Sequence, residues 1–168
     1  MAKIISVITQ KGGVGKTTTV NALAATLNKL GKRVLAIDMD PQGNLSFSLG
    51  AEIEDVHTIR DVIRKDMYAL DCIQRCNTAD VIPSDILLSS IEVEYTGNNR
   101  EFLLKDALVE VTKLYDYILI DSPPSLGVLT VNALVASKYV IMPMLPDIFS
   151  LQGIAEVYDV IEYVRQTC

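Results

Sequence analysis

The sequence has no tryptophan, a single histidine, three phenylalanines and three cysteines among its 168 residues. Cys72 and Cys76 stand as a C-x3-C pair, but with His57 as the one imidazole they lack a full ligand set for a metal centre. Three cysteines in a chain without an export signal also argue against a disulfide framework. The N-terminus lacks the basic segment, long apolar run and small-residue cleavage site of a signal peptide. No stretch approaches the roughly 18 uncharged apolar residues of a membrane span. A cytoplasmic protein with no membrane partner is expected. Positive charge is in deficit, 15 Lys and Arg against 21 Asp and Glu, and the net charge of −6 opposes a broad basic surface for nucleic acid. Any DNA contact must be local or lie elsewhere.

What is present is apolar and periodic. Hydrophobic residues make up 49% of the chain, enough for one compact core. The run KIISVIT reads as a strand, and TTVNALAATLNKL places Val20, Leu23, Ala24, Leu27 and Leu30 at helical spacing, with Gly31 as the C-cap. KRVLAID is a second apolar strand ending in an acid, followed by the loop MDPQGN. HTIRDVIRK predicts a short helix, and LDCIQRC with ADVIPS a short strand pair. The spacing of Phe102, Leu103, Ala107, Leu108, Val111 and Leu114 predicts one amphipathic helix over 98–115. Then come the strand DYILID, the turn SPPS, the helix LGVLTVNALVAS, the strand KYVIMPML and a final helix from about Leu151. Near-continuous apolar strands alternating with helices indicate an α/β, doubly wound, mostly parallel sheet covered on both faces. With no repeat or linker, residues 1–168 are expected to form one domain. The chain stops in or just after a helix with no following strand, which suggests a longer protein.

The stretch QKGGVGKTTT lies between the first strand and first helix, the setting of a phosphate-binding loop. Backbone N–H groups from Gly12 through Gly13, Val14, Gly15, Lys16 and Thr17 to Thr18 can form a nest for a polyphosphate at a helix N-terminus. Lys16 is the lysine expected to reach the β- and γ-phosphates, and Thr17 offers its hydroxyl to Mg2+. The general pattern G-x4-G-K-[ST] would have glycine where this chain has Gln10, so the loop is a variant. Phosphoryl transfer is mostly placement and charge stabilisation, and it needs a metal organiser and a positioned water. Asp38, Asp40 and Asp121 fall at or just beyond the carboxyl ends of strands, where ligands bind in such sheets. Asp121 is placed to hold a magnesium-bound water and Asp40 to reach the attacking water; as loop-capping aspartates they would serve neither purpose. Lys11 is a second lysine that the loop by itself does not require.

KGGVGKTTT, DMDPQGN, ILIDSPPSLG and MPMLPDIFSLQGI, in that order, closely resemble the ParA/Soj-type partition ATPases of the deviant Walker A group, from residue 3 to the end. The resemblance implies a P-loop ATPase using ATP/ADP and Mg2+, hydrolysing slowly and dimerising on ATP. It implies that Lys11 is the signature lysine that crosses the dimer interface to the partner's nucleotide. Asp40 becomes the residue linked to the hydrolytic water, Asp121 the Walker B acid and Asp38 a member of the magnesium shell. The implied role is plasmid or chromosome partition with a centromere-binding protein. Family members extend further and carry their base contacts and basic DNA patch there, so nucleoid and non-specific DNA binding are expected of the full-length protein and not of these residues. The alternatives are a MinD-like ATPase at the membrane, an iron protein like the nitrogenase reductase, whose cluster cysteines would belong after the Walker B strand, and a non-catalytic nucleotide-binding scaffold.

Overall fold

Alternation along the strands decides the architecture. In β2 (Val34–Asp38), Leu35 and Ile37 point into one apolar cluster and Val34 and Ala36 into another; in β4 (Tyr117–Asp121), Ile118 and Ile120 are divided from Leu119 in the same way. A strand buried on both faces needs helices above and below it. The computed structural model describes residues 1–168, the Phe149 side chain excepted, and has this doubly wound arrangement. With β1 (Lys3–Val7), β3 (Asp80–Ile82) and β5 (Tyr139–Ile141), the strands form a five-stranded sheet in the order β3-β2-β4-β1-β5, every pair parallel. Val7 and Asp38 both lie in register with Asp121. The carboxyl ends of three neighbouring strands therefore open side by side.

On one face, α1 (Lys16–Lys29) and α2 (Asn44–Leu49) bury Val20, Ala24, Leu45 and Leu49 against Val34, Ala36 and Leu119. On the other, α3 (Ile59–Arg64), α4 (Ile91–Glu94), α5 (Leu103–Ala107) and α6 (Val128–Ala136) pack Ile59, Ile63, Ile91, Leu104 and Leu129 onto Leu35, Ile37, Ile118 and Ile120. α7 (Ile148–Thr167) covers a third cluster, in which Val157 meets Ile8 and Leu134. Gly31, at φ 73, closes α1 in a left-handed conformation that its missing Cβ makes cheap. No helix among the described residues is long and apolar enough to cross a membrane.

Several expectations are corrected. The helix predicted over 98–115 is broken into a 3-10 turn at Arg100–Phe102, α5, and a second 3-10 turn at Val111–Lys113. The β-branched residues Val109, Val111 and Thr112 are poor helix formers, and the Thr112 carbonyl is drawn off to accept from the Ala2 N–H at 2.9 Å. LDCIQRC is a 3-10 turn over Ala69–Cys72 followed by one antiparallel bridge, Gln74 with Val81, and not a strand. β5 ends at Ile141, short of the predicted KYVIMPML, because Pro143 and Pro146 have no N–H for the ladder. α7 begins at Ile148, since Asp147 caps it by accepting from the Ser150 N–H at 2.7 Å. α2 went unpredicted; six residues between Gly43 and Gly50 are too short to display a period.

Candidate active site

The loop after β1 turns into α1 through two left-handed glycines, Gly13 at φ 74 and Gly15 at φ 91. Each lets the backbone reverse direction where an L side chain would be strained. Gly15 is the N-cap residue of α1 and carries no side-chain cap, so the first N–H groups of the helix face outward as donors. Gly12, Gly13, Val14, Gly15, Lys16, Thr17 and Thr18 thus line one continuous turn. Lys16 is 7% exposed, and burial lowers its ammonium pKa against the opposing pull of Asp121 and Asp40. The Lys16 Nζ lies 3.4 Å from the Lys11 carbonyl, which also accepts from the Thr9 hydroxyl at 2.8 Å.

The carboxylates of Asp121 and Asp40 act on this lysine from the neighbouring strand ends, with Asp38 beside Asp121. The Asp121 Oδ2 accepts from the Thr17 hydroxyl at 2.6 Å, whereas its Oδ1 is buried with no hydrogen-bond partner. Burial pushes the Asp121 carboxyl up to about 7; Asp38 and Asp40 add to the rise, and Thr17 and Lys16 oppose it. Asp40 is 9% exposed, and its Oδ1 accepts from the Gln42 N–H at 3.0 Å. Asp38 is fully enclosed and taken up by protein groups. Its Oδ1 accepts from the Asp40 N–H, and its Oδ2 from both the N–H and the hydroxyl of Ser46 at 2.8 and 2.7 Å. Burial raises Asp38 to about 6. When the raised carboxyls of Asp121 and Asp38 ionise beside Asp40, the cluster carries more negative charge than Lys16, the one buried cation of the described residues, can offset. A divalent cation removes that excess. The all-oxygen donor set of Asp121 and Thr17 suits a hard ion such as Mg2+, and the partnerless Asp121 Oδ1 supplies the vacant lone pair.

Two of the residues singled out from the sequence are held by other side chains of the protein. Asp38, expected in the magnesium shell, anchors the loop after β2 through Ser46, whose hydroxyl in turn accepts from the Ser84 N–H at 3.0 Å. The Lys11 Nζ pairs with the Asp147 Oδ2 at 2.8 Å. Asp147 and Ser46 escaped sequence reading. Asp147 carried a signal, an acid three residues before Ser150 at the start of an apolar-periodic run, while Ser46 carried none.

A parallel sheet whose first strand leads through a glycine turn into a helix, with acids at the adjacent strand ends, defines a P-loop NTPase of the α/β class. The chain belongs to the AAA domain family, which matches residues 2–168, and to its ParA/Soj-type branch. It is 44% identical over 170 residues to the sporulation initiation inhibitor protein Soj of Bacillus subtilis, covering 99% of this chain and 67% of that protein. It is 40% identical over 170 residues to the chromosome partitioning protein ParA of Myxococcus xanthus, of which it spans 60%. Among solved structures, a cobyrinic acid a,c-diamide synthase from Mycobacterium smegmatis with bound ATP analogue and magnesium superposes with a TM-score of 0.94 at 36% identity, over 99% of this chain and 70% of that one.

Proposed function

We propose that this chain is the nucleotide-binding part of a partition-type ATPase, acting with Mg2+ to convert ATP to ADP and phosphate. The observation that carries the chemistry is the Asp121 carboxylate, buried beside Lys16 with one oxygen on Thr17 and the other unpartnered. In this reading the residues from Gly12 to Thr18 cradle the polyphosphate and Lys16 neutralises its terminal groups. Thr17 and Asp121 hold the ion, which supplies charge neutralisation at the phosphates when bound. Asp40 is already oriented by the Gln42 N–H and positions the attacking water. Asp38 shapes the loop that carries Asp40 and reaches the ion only through it.

The partition role rests on the chromosome partitioning protein ParA among the relatives, whose name supports it over the MinD-like alternative. The synthase name of the Mycobacterium structure points to different chemistry, at lower identity than either relative. Residues 1–168 act as one P-loop domain, because all three apolar clusters lean on one sheet. The protein works as a slow, ATP-dependent homodimeric switch in the cytoplasm with a centromere-binding partner, and associates with the nucleoid through residues outside this chain. Dimerisation requires Lys11 to exchange Asp147 for the phosphates held by a second copy.

Titration calorimetry with ATP, together with a phosphate-release assay, tests this reading. The parent should bind ATP more tightly with Mg2+ than with EDTA. Asp40→Ala should keep that affinity within about threefold while hydrolysis falls by about 100-fold, the scale of a misplaced reactant. Binding indifferent to Mg2+, or equal loss of binding and turnover, refutes the assignment.

A further inference from the structure

The loop between Asp121 and α6 ends in an unusual cap. Gly127 is the N-cap residue of α6 and has no side chain to satisfy the first N–H groups of the helix. They are satisfied from far away in sequence: the Glu92 carboxylate on α4 accepts from the Val128 N–H at 2.8 Å and the Leu129 N–H at 3.2 Å. Gly127 sits at φ −80 and ψ −166, extended backbone that any residue adopts. Its glycine leaves the space that the Glu92 carboxylate occupies, and a Cβ there would force Glu92 out of its present position. Glu92 and Gly127 are a matched pair, and a local Ser or Asp cap has been forgone to admit the distant one.

The other end of the Glu92 segment is tied to the other loop of the site. The Ser84 N–H donates to the Ser46 hydroxyl, which donates to Asp38, which accepts from the Asp40 N–H. Between these ends, Asp85 caps a 3-10 turn at Ile86–Ser90 and is bonded by the Thr58 hydroxyl, and Leu88 and Ile91 are fully buried. Arg64 pairs with Glu94 at 2.9 Å and adds a second hold on α4. Residues 84–92 therefore form a brace between Ser46 of α2, which holds the loop of Asp40 through Asp38, and the first N–H groups of α6, where the loop after Asp121 ends.

We propose that Glu92 is a positioning residue for the hydrolytic site, joining the loop after Asp121 to the loop carrying Asp40 so that the two keep one relative placement. The proposal rests on the ATPase reading above. Its test separates a tether from a mere helix cap. Glu92→Ala removes both functions, whereas Glu92→Ala with Gly127→Ser restores a local cap without the tie, because the serine fits the vacated space. Thermal melting, hydrogen exchange over 39–46 and 122–127, and steady-state ATPase kinetics are measured on parent, single and double variant, with the isosteric Glu92→Gln as a further single variant should Glu92→Ala not fold.

The double variant should regain the parental melting midpoint. Its amides at 39–46 should still exchange faster by about fivefold, the factor equivalent to one lost hydrogen bond of the tie. Its kcat should remain depressed with KM for ATP little changed. If exchange at 39–46 and kcat both return with the cap, or were never altered in the single variant, Glu92 is only a helix cap and the proposal is overturned. If the parent shows no turnover, the ATPase reading fails, while exchange at 39–46 still decides the tether.

Discussion

Replacing Asp121 by Asn should make the nucleotide-free protein more stable at pH 8, although it removes a residue assigned to the metal. Asp121 has no exposed surface, and only one of its oxygens has a partner, the Thr17 hydroxyl. Burial first, with Asp38 and Asp40 assisting, pushes its carboxyl up to about 7 from the ordinary 3.8. The folded protein thus holds this proton more tightly than the unfolded chain. The group's contribution to stability is complete below pH 4 and is lost as pH rises towards 7, because the unfolded chain ionises first. At about 1.36 kcal/mol per pH unit, the interval sets a ceiling of about 4 kcal/mol at pH 8. Asparagine is neutral throughout and keeps an oxygen for Thr17, but its amide needs a partner of its own, so about half the ceiling, ~2 kcal/mol, is the expected gain. For a chain of this size that corresponds to a midpoint about 5 °C higher. Melts followed by circular dichroism in EDTA at pH 5, 6.5 and 8 should show the variant's advantage growing with pH. Mg2+ with ATP should then raise the parent's midpoint and leave the variant's nearly unmoved. An Asp121→Asn protein that melts at or below the parent at pH 8 in EDTA would refute the charge argument.

Lys16→Ala removes the one buried cation facing the carboxylates and should weaken ATP binding by at least about 100-fold in titration calorimetry. Asp147→Asn keeps the cap of α7 but loses the ion pair with Lys11; as both partners are about one-third exposed to screening solvent, the melting midpoint should move little. Sedimentation velocity should nevertheless show that variant dimerising at lower ATP concentration than the parent, because Lys11 no longer has the Asp147 carboxylate to leave. Asn132 is fully buried and bonds the Leu104 N–H and the carbonyls of Arg100 and Val128 at 2.8–3.0 Å. Asn132→Ala strands those groups and should cost about 2–4 kcal/mol in urea unfolding.

Strands, their parallel class and the acids at their ends were legible because each is written locally. VLAID and YILID are continuous apolar runs, and a run buried on both faces has to lie inside a parallel sheet. The turn QKGGVGKTTT announces itself by composition between a strand and a helix. The sequence by itself therefore determined the fold class, the glycine turn leading into α1 and the row of candidate acids. Where local chemistry competed with itself the reading failed, as in 98–115, whose apolar spacing promised a helix that β-branched residues and the Ala2 hydrogen bond break up. Only the tertiary structure decided the strand order, the turning of Lys11 to Asp147 across 136 positions, the enclosure of Asp38 by Ser46, and the capping of α6 by Glu92. Each depends on a side chain reaching a partner far away in sequence. Periodicity and turn chemistry act over a few residues, whereas such contacts exist only after the sheet has brought its loops together.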